Sequence, residues 1–201
     1  MSDLYGDSHR RLQREFDTER LADRIEQRLL RAHLTNDDRV FIERLDMFFL
    51  ATADAAGHPN CSYKGGDPGF VRVLDEHTLV FPNYDGNGMY LSMGNAAANP
   101  HVGLLFIDFE RQQRLRVNGI AACEPAASLE PPYPEAQFVV KVTVQQVFPN
   151  CPRYIHKLQL VERSKFVPRP ARPTPVPGWK RSDWASDALS ASDPARTAED
   201  A

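Results

Sequence analysis

What most constrains this chain is a succession of short strand-like segments between Met47 and Phe148, parted by tight-turn residues and interrupted by a single helix. Residues 47–52 form an apolar run, residues 54–59 supply Asp, Gly and Pro for a turn, and residues 60–64 restart an extended segment. Together they carry the pattern of a hairpin. Gly65-Gly66-Asp67-Pro68-Gly69 breaks the chain, residues 70–74 form a further strand, residues 75–77 turn, and residues 78–81 return. A glycine-bearing loop over 82–88 leads into a helix expected from about 89 to 98. Asn99-Pro100 ends it, because the residue before proline avoids the helical region. Strands follow at 101–107 and 114–122, and a last long one at 137–148. Six or seven short strands joined mostly by tight turns predict a mainly β chain with flanking helices. The expected architecture is an antiparallel barrel rather than a doubly wound sheet.

The flanks differ from this centre. Residues 17–33 place Leu21, Ile25, Leu29 and Leu30 at helical spacing, with Thr18 as a candidate cap. A second short helix is expected from Asn36 or Asp37 to Arg44. From Pro168 the composition turns proline-rich. Residues 182–201 are rich in Ala, Ser and Asp with little to bury, so they read as a mobile tail. The expected organisation is therefore a helical extension over 1–45, a barrel over 46–167 and a tail over 168–201. A 201-residue chain that is 42% hydrophobic can build one core of that kind. Its net charge of -3 carries no dominant block, which argues against a bulk electrostatic grip on nucleic acid or an anionic membrane. Residues 1–11 are polar, and no run reaches membrane-spanning length. Cys61, Cys123 and Cys151 lack paired spacing, and the six histidines form no HExxH. The expectation is a cytoplasmic protein without a disulfide framework or a metal site.

Chemistry concentrates between Asn60 and Ala122. Glycines in the loop over 83–88 let backbone N–H groups approach an anion, and the helix that follows adds its positive end. Asn83 and Asn87 add neutral donors. Arg114 and Arg116 are two apart on one strand and so share a face. If they meet the loop, a guanidinium fork would hold a phosphate. An ordinary glycine turn with solvated arginines fits the same residues.

The order of the pieces is more specific than any one of them. Ser62-Tyr63-Lys64 on a hairpin, Phe81-Pro82-Asn83 at a strand end, Asn87-Gly88-Met89 before a helix, Asn99-Pro100, and Arg114-Leu115-Arg116-Val117-Asn118-Gly119 resemble the pyridoxamine 5'-phosphate oxidase-like FMN-binding split barrel, in its flavin-nucleotide-binding branch. The resemblance spans about residues 41–169. It implies a six-stranded split barrel, a homodimer, and FMN at the subunit interface. On it, Ser62, Tyr63 and Lys64 line the flavin, and Phe81, Pro82 and Asn83 lie beneath it. Arg114 falls where the oxidases carry a flavin-contacting glutamine, often from the second subunit. Asn87 and Gly88 replace a basic phosphate-binding pair, so the charge must come from Lys64, Arg114 or Arg116. Residues 148–157 resemble a segment presented near the isoalloxazine. Asn150 there is a candidate cap for a short helix that would lower the Cys151 thiol pKa. Cys61 and Cys123 read as core. Lys64 and Cys151 are the candidates for chemistry, Lys64 by stabilising a reduced flavin anion. The function expected is FMN-dependent hydride or electron transfer to a small molecule, with NAD(P)H as an electron donor. A flavin carrier or sensor, or the same barrel holding F420 or haem, is the alternative. True pyridoxamine 5'-phosphate oxidase activity is not expected: the basic pair is missing, and Trp179 precedes Lys180-Arg181 in a Pro-rich stretch that does not match the substrate motif.

Overall fold

The structure is a computed structural model, and it describes residues 4–196. Two units divide the chain, one ending at Gln159 and one beginning at Leu160. In the first, three helices precede the sheet: α1 (Asp7–Glu15), α2 (Glu19–Leu29) and α3 (Asn36–Glu43). The sequence pattern gave no sign of α1, which buries none of its residues and so shows no apolar stripe. α3 starts where the Asx-rich segment predicted. The Thr35 hydroxyl accepts from the Asp38 amide at 3.2 Å, and the Asp38 carboxylate accepts from the Thr35 amide at 2.8 Å. Arg31 clamps the same carboxylate. Burial alone would raise the Asp38 pKa, but the Arg31 and Thr35 donors outweigh it and hold the carboxyl below its usual range.

The strands are β1 (Met47–Ala53), β2 (Pro59–Gly65), β3 (Arg72–Asp75), β4 (Thr78–Asn83), β5 (His101–Asp108), β6 (Gln113–Pro125) and β7 (Phe138–Pro149), with α4 (Leu91–Ala98) between β4 and β5. They form one seven-stranded sheet in the order β2-β1-β5-β6-β7-β4-β3, with every pair antiparallel. The count exceeds the expected six because the short β3 pairs with β4 and extends the sheet. Four steps separate β1 from β4 in that order, roughly 19 Å on a flat sheet. Yet the Phe48 and Phe81 rings lie 5.0 Å apart, so the sheet must curl. Its concave side holds one core, including Phe48, Leu50, Leu79, Phe81, Leu104, Phe106, Val117 and Val142. The curl is tight where β6 shifts register between Asn118 and Gly119. A Cβ on Gly119 would stand 2.3 Å from the Thr143 carbonyl oxygen, so only glycine fits.

Three local expectations change. Phe70 lies ahead of β3 and packs on Phe48 at 5.9 Å. α4 begins at Leu91, because Tyr90 ahead of it takes a left-handed φ of 49°. Cys61 and Cys123 are exposed rather than core: Cys61 shares the convex face with Tyr63, and Cys123 stands near the end of the long β6.

The second unit is described to Arg196, so residues 197–201 of the expected tail lie outside the described part. Within it, Lys180 and Asp193 form a buried ion pair at 2.7 Å. The Trp179 and Trp184 rings stack with centroids 5.8 Å apart, and Arg196 binds the Leu189 carbonyl at 2.6 Å. Among the described residues no helix is long and apolar enough to cross a membrane.

Candidate functional site

β2 is an edge strand, and alternation decides what its side chains can do. Asn60, Ser62 and Lys64 stand opposite Thr52, Leu50 and Phe48 of β1, and so share their concave face. Asn60, Ser62 and Thr52 are taken up by α4. Ser92 donates to Ser62 at 2.9 Å, Asn60 donates to Ser92 at 3.3 Å, and Asn95 donates to Thr52 at 3.2 Å. Lys64 has no such partner. No carboxylate or hydrogen-bond acceptor meets its ammonium among the described residues, and burial pushes its pKa down. Its neighbour across the strands, Phe48, touches Phe81. Phe81 and Pro82 at the β4 end are buried and Asn83 is half-buried, and Phe81 reaches the strand partner of Lys64 through Phe48.

Asn83 donates to Gln137 at 3.0 Å, and Asn87 accepts from the Met89 amide at 3.1 Å. Gly88 takes a φ of 75°, a conformation that favours glycine. Burial, and then the Asp67 charge, push the Tyr84 hydroxyl up to about 12. The start of α4 has no side-chain cap and no acidic residue in its first turn. Met89, Tyr90 and Leu91 leave apolar surface exposed beside it. An unpaired cation, uncapped helix amides and an apolar rim occupy one region. Such a region can hold a flat molecule bearing an anionic group.

Arg114 and Arg116 belong elsewhere. Both point to the convex face, opposite the inward Leu115 and Val117. Asn83 pairs with Phe138 at one end of β7, whereas Arg116 pairs with Phe148 at the other, roughly 30 Å along the strand. Within one chain the loop and the arginines do not meet. Tyr63 also faces outward and stacks edge-on against Phe49 with centroids 6.2 Å apart. Beyond β7 no helix forms at Asn150. Instead Gln112 donates to the Ile155 carbonyl at 2.7 Å and Leu158 donates to the Phe109 carbonyl at 3.2 Å, which draws the segment back over the β5–β6 turn. Cys151 is exposed there, without the helix N-terminus expected to activate it.

The candidate residues thus fall into two groups. Ser62, Lys64, Phe81, Pro82, Asn83, Asn87, Gly88 and Met89 form one, and Arg114, Arg116 and Cys151 form the other, with Tyr63 on the convex face between them in register. Sequence reasoning marked Asn95 only by its place in the 60–122 stretch and missed Ser92; together they tie α4 to β2 and β1. Polar residues three apart on a helix of small and apolar residues were the available signal.

The profile of the pyridoxamine 5'-phosphate oxidase family matches residues 34–151, more than half of the chain. The chain belongs to that family. Among curated proteins no sequence matches. Solved structures similar to this family member include a putative pyridoxamine 5'-phosphate oxidase from Lactobacillus delbrueckii, 26% identical, with 59% of this chain and 95% of that one covered and a TM-score of 0.45. An FMN-binding protein from Syntrophomonas wolfei is 11% identical, with coverages of 70% and 97% and a TM-score of 0.45. A haem storage protein from Vibrio cholerae is 19% identical, with coverages of 57% and 93% and a TM-score of 0.38.

Proposed function

We propose that this member of the pyridoxamine 5'-phosphate oxidase family binds FMN as a homodimer and uses it for electron or hydride transfer to a small molecule. The observation that carries the reading is Lys64, a half-buried ammonium with no anion of its own, beside the uncapped start of α4. A phosphate group, or the reduced flavin edge, would supply the missing charge. Asn87, Gly88 and the first α4 amides are placed to add neutral donors in place of a basic pair. Phe81 and Pro82 offer the apolar floor, and Met89 a flank.

The second group of residues fits the same ligand only if a second chain presents it. Arg114 has a buried Nε with no acceptor among the described residues, as expected of a donor whose partner lies outside the chain. Bound flavin supplies the redox chemistry. The chain's own residues would position it, with Lys64 at its anionic group, and a transient donor such as NAD(P)H would reduce it. The three free thiols support a reducing, cytoplasmic setting.

Purified protein is expected to carry flavin absorbance bands, and Arg114→Ala to lose FMN at least about tenfold faster than Arg172→Ala in a flavin-release assay. A Soret band in place of flavin bands would favour a haem carrier. Bound flavin that neither NADH nor NADPH bleaches would favour a carrier or sensor. A colourless protein with no affinity for added FMN would end the reading.

A further inference from the structure

Residues 84–89 join the end of β4 to Tyr90 ahead of α4, and both ends of that loop are tied to one side chain. Gln137 Oε1 accepts from the Asn83 side-chain amide at 3.0 Å and from the Tyr90 hydroxyl at 3.1 Å. The Gln137 main-chain N–H also donates to the Asn83 carbonyl at 3.0 Å, and the Tyr90 ring stacks on Phe138 with centroids 6.5 Å apart. Gln137 stands on a rigid support. Buried Tyr133 ahead of it donates to the Val80 carbonyl at 3.3 Å, and Asn83 and Phe138 form the last rung between β4 and β7. Tyr90 holds a left-handed φ of 49°, which a bulky residue keeps only where its surroundings impose it. Gln137 and Phe138 are those surroundings.

Between these two ends the loop carries Gly86 and Gly88, so its own backbone does little to fix its shape. A loop of that kind, free at its neck, would have to be ordered by the ligand, and the ordering entropy would be subtracted from the affinity. We propose that Gln137 is a positioning residue: it clasps the neck of loop 84–89 and holds Asn87, Gly88 and the first α4 amides in their binding shape before a ligand arrives. The inference rests on the flavin reading above, which puts the FMN phosphate at this loop. It assigns the shape of the empty site to a side chain that touches no ligand. Water competes for the exposed Gln137 and Tyr90 atoms, so each bond alone is modest. Their effect comes from sharing one acceptor at the point where the loop closes.

The test uses the full chain stripped of ligand and two variants. Gln137→Met keeps the side-chain length and removes the acceptor. Tyr90→Phe keeps the ring on Phe138 and removes one donor. Amide hydrogen exchange over residues 84–89 is expected to run at least about threefold faster in each variant, with β5 and β6 unchanged. Titration with FMN is expected to show a dissociation constant raised about threefold to tenfold in each. The double variant is expected to match Gln137→Met alone, because the tyrosine hydroxyl works through the same acceptor, whereas two independent losses would multiply. Gln137→Glu, whose carboxylate accepts both bonds, is expected to restore the exchange protection. Unchanged loop exchange in Gln137→Met, or effects that multiply in the double variant, would overturn the clasp and leave the flavin reading intact. A loosened loop that still holds FMN as tightly as wild type would overturn it as well, since the neck would then shape nothing that FMN uses. If the wild-type chain binds no FMN, the flavin reading falls and the positioning role with it.

Discussion

At the residue scale, Lys64 decides more than any other side chain. Burial lowers its pKa in the folded chain from the ordinary 10.5, because the charged form loses solvation that no carboxylate replaces. The unfolded chain therefore holds more protons between the folded value and 10.5. The ligand-free protein is expected to gain stability as pH rises through that window. Binding of an anion has the opposite slope, since it needs the ammonium charged. FMN affinity is expected to be full below the folded Lys64 pKa and to fall as pH rises through it. Lys64→Met should raise the FMN dissociation constant by about tenfold to a hundredfold and flatten that alkaline limb. Fluorescence titration between neutral and alkaline pH reads both effects. A wild-type affinity that stays level across the window would remove Lys64 from the site.

At the scale of elements, two features of the fold are open to direct test. The Thr35–Asp38 capping box with its Arg31 clamp fixes the start of α3. Asp38→Asn should cost about 2 kcal/mol, or about 4–8 °C in melting temperature. The Asp38 carboxyl is held below its usual 3.8, so its contribution is complete above that pH and disappears as pH falls through the lower folded value. Acid melts of the variant should therefore show a shallower decline than wild type. Gly119→Ala should cost about 1–3 kcal/mol, because the new Cβ meets a backbone carbonyl that cannot move aside.

The same elements show what the sequence made legible. All seven strands were visible, since alternation and turn residues mark them regardless of tertiary context. α3 was visible because Thr35, Asn36 and Asp38 are local capping signals. Tertiary pairing was not visible. Asn150-Cys151-Pro152 reads as a helix start, but the Gln112–Ile155 bond draws the chain out instead. Cys61 reads as core from its strand pattern, yet nothing in the pattern says which face of an edge strand is covered. Ser62 and Lys64 lie on β2, and Asn83 and Asn87 at and beyond the end of β4, as the strand pattern predicted. That Arg114 and Arg116 stand at the far end of β7 follows only from register.

At the scale of the whole molecule, the convex face of the sheet poses the remaining problem. Tyr63, Phe49, Leu105, Arg116 and Phe148 align in one row across β2, β1, β5, β6 and β7. Tyr63 is 62% exposed, and Phe49, Leu105 and Phe148 are half-buried, with Arg116 lying 5.8 Å over the Phe148 ring. A row of large apolar groups left partly in water across five strands has the composition of an interface core, with Tyr and Arg among its members. The proposed dimer would seat a second copy on this row. It would bring Arg114 and Arg116 of one chain toward the Lys64 region of the other, whereas within one chain they stand on the opposite face of the sheet from Lys64. Leu105→Glu puts a charge in that row and should convert the proposed dimer to a monomer in light scattering. It should also reduce FMN retention at least about tenfold, because half of the site leaves with the partner. Leu74→Glu, on the exposed part of β3, should change neither. A Leu105→Glu monomer that holds FMN as tightly as wild type would mean that one chain completes the site, and the arginines of β6 would need another role.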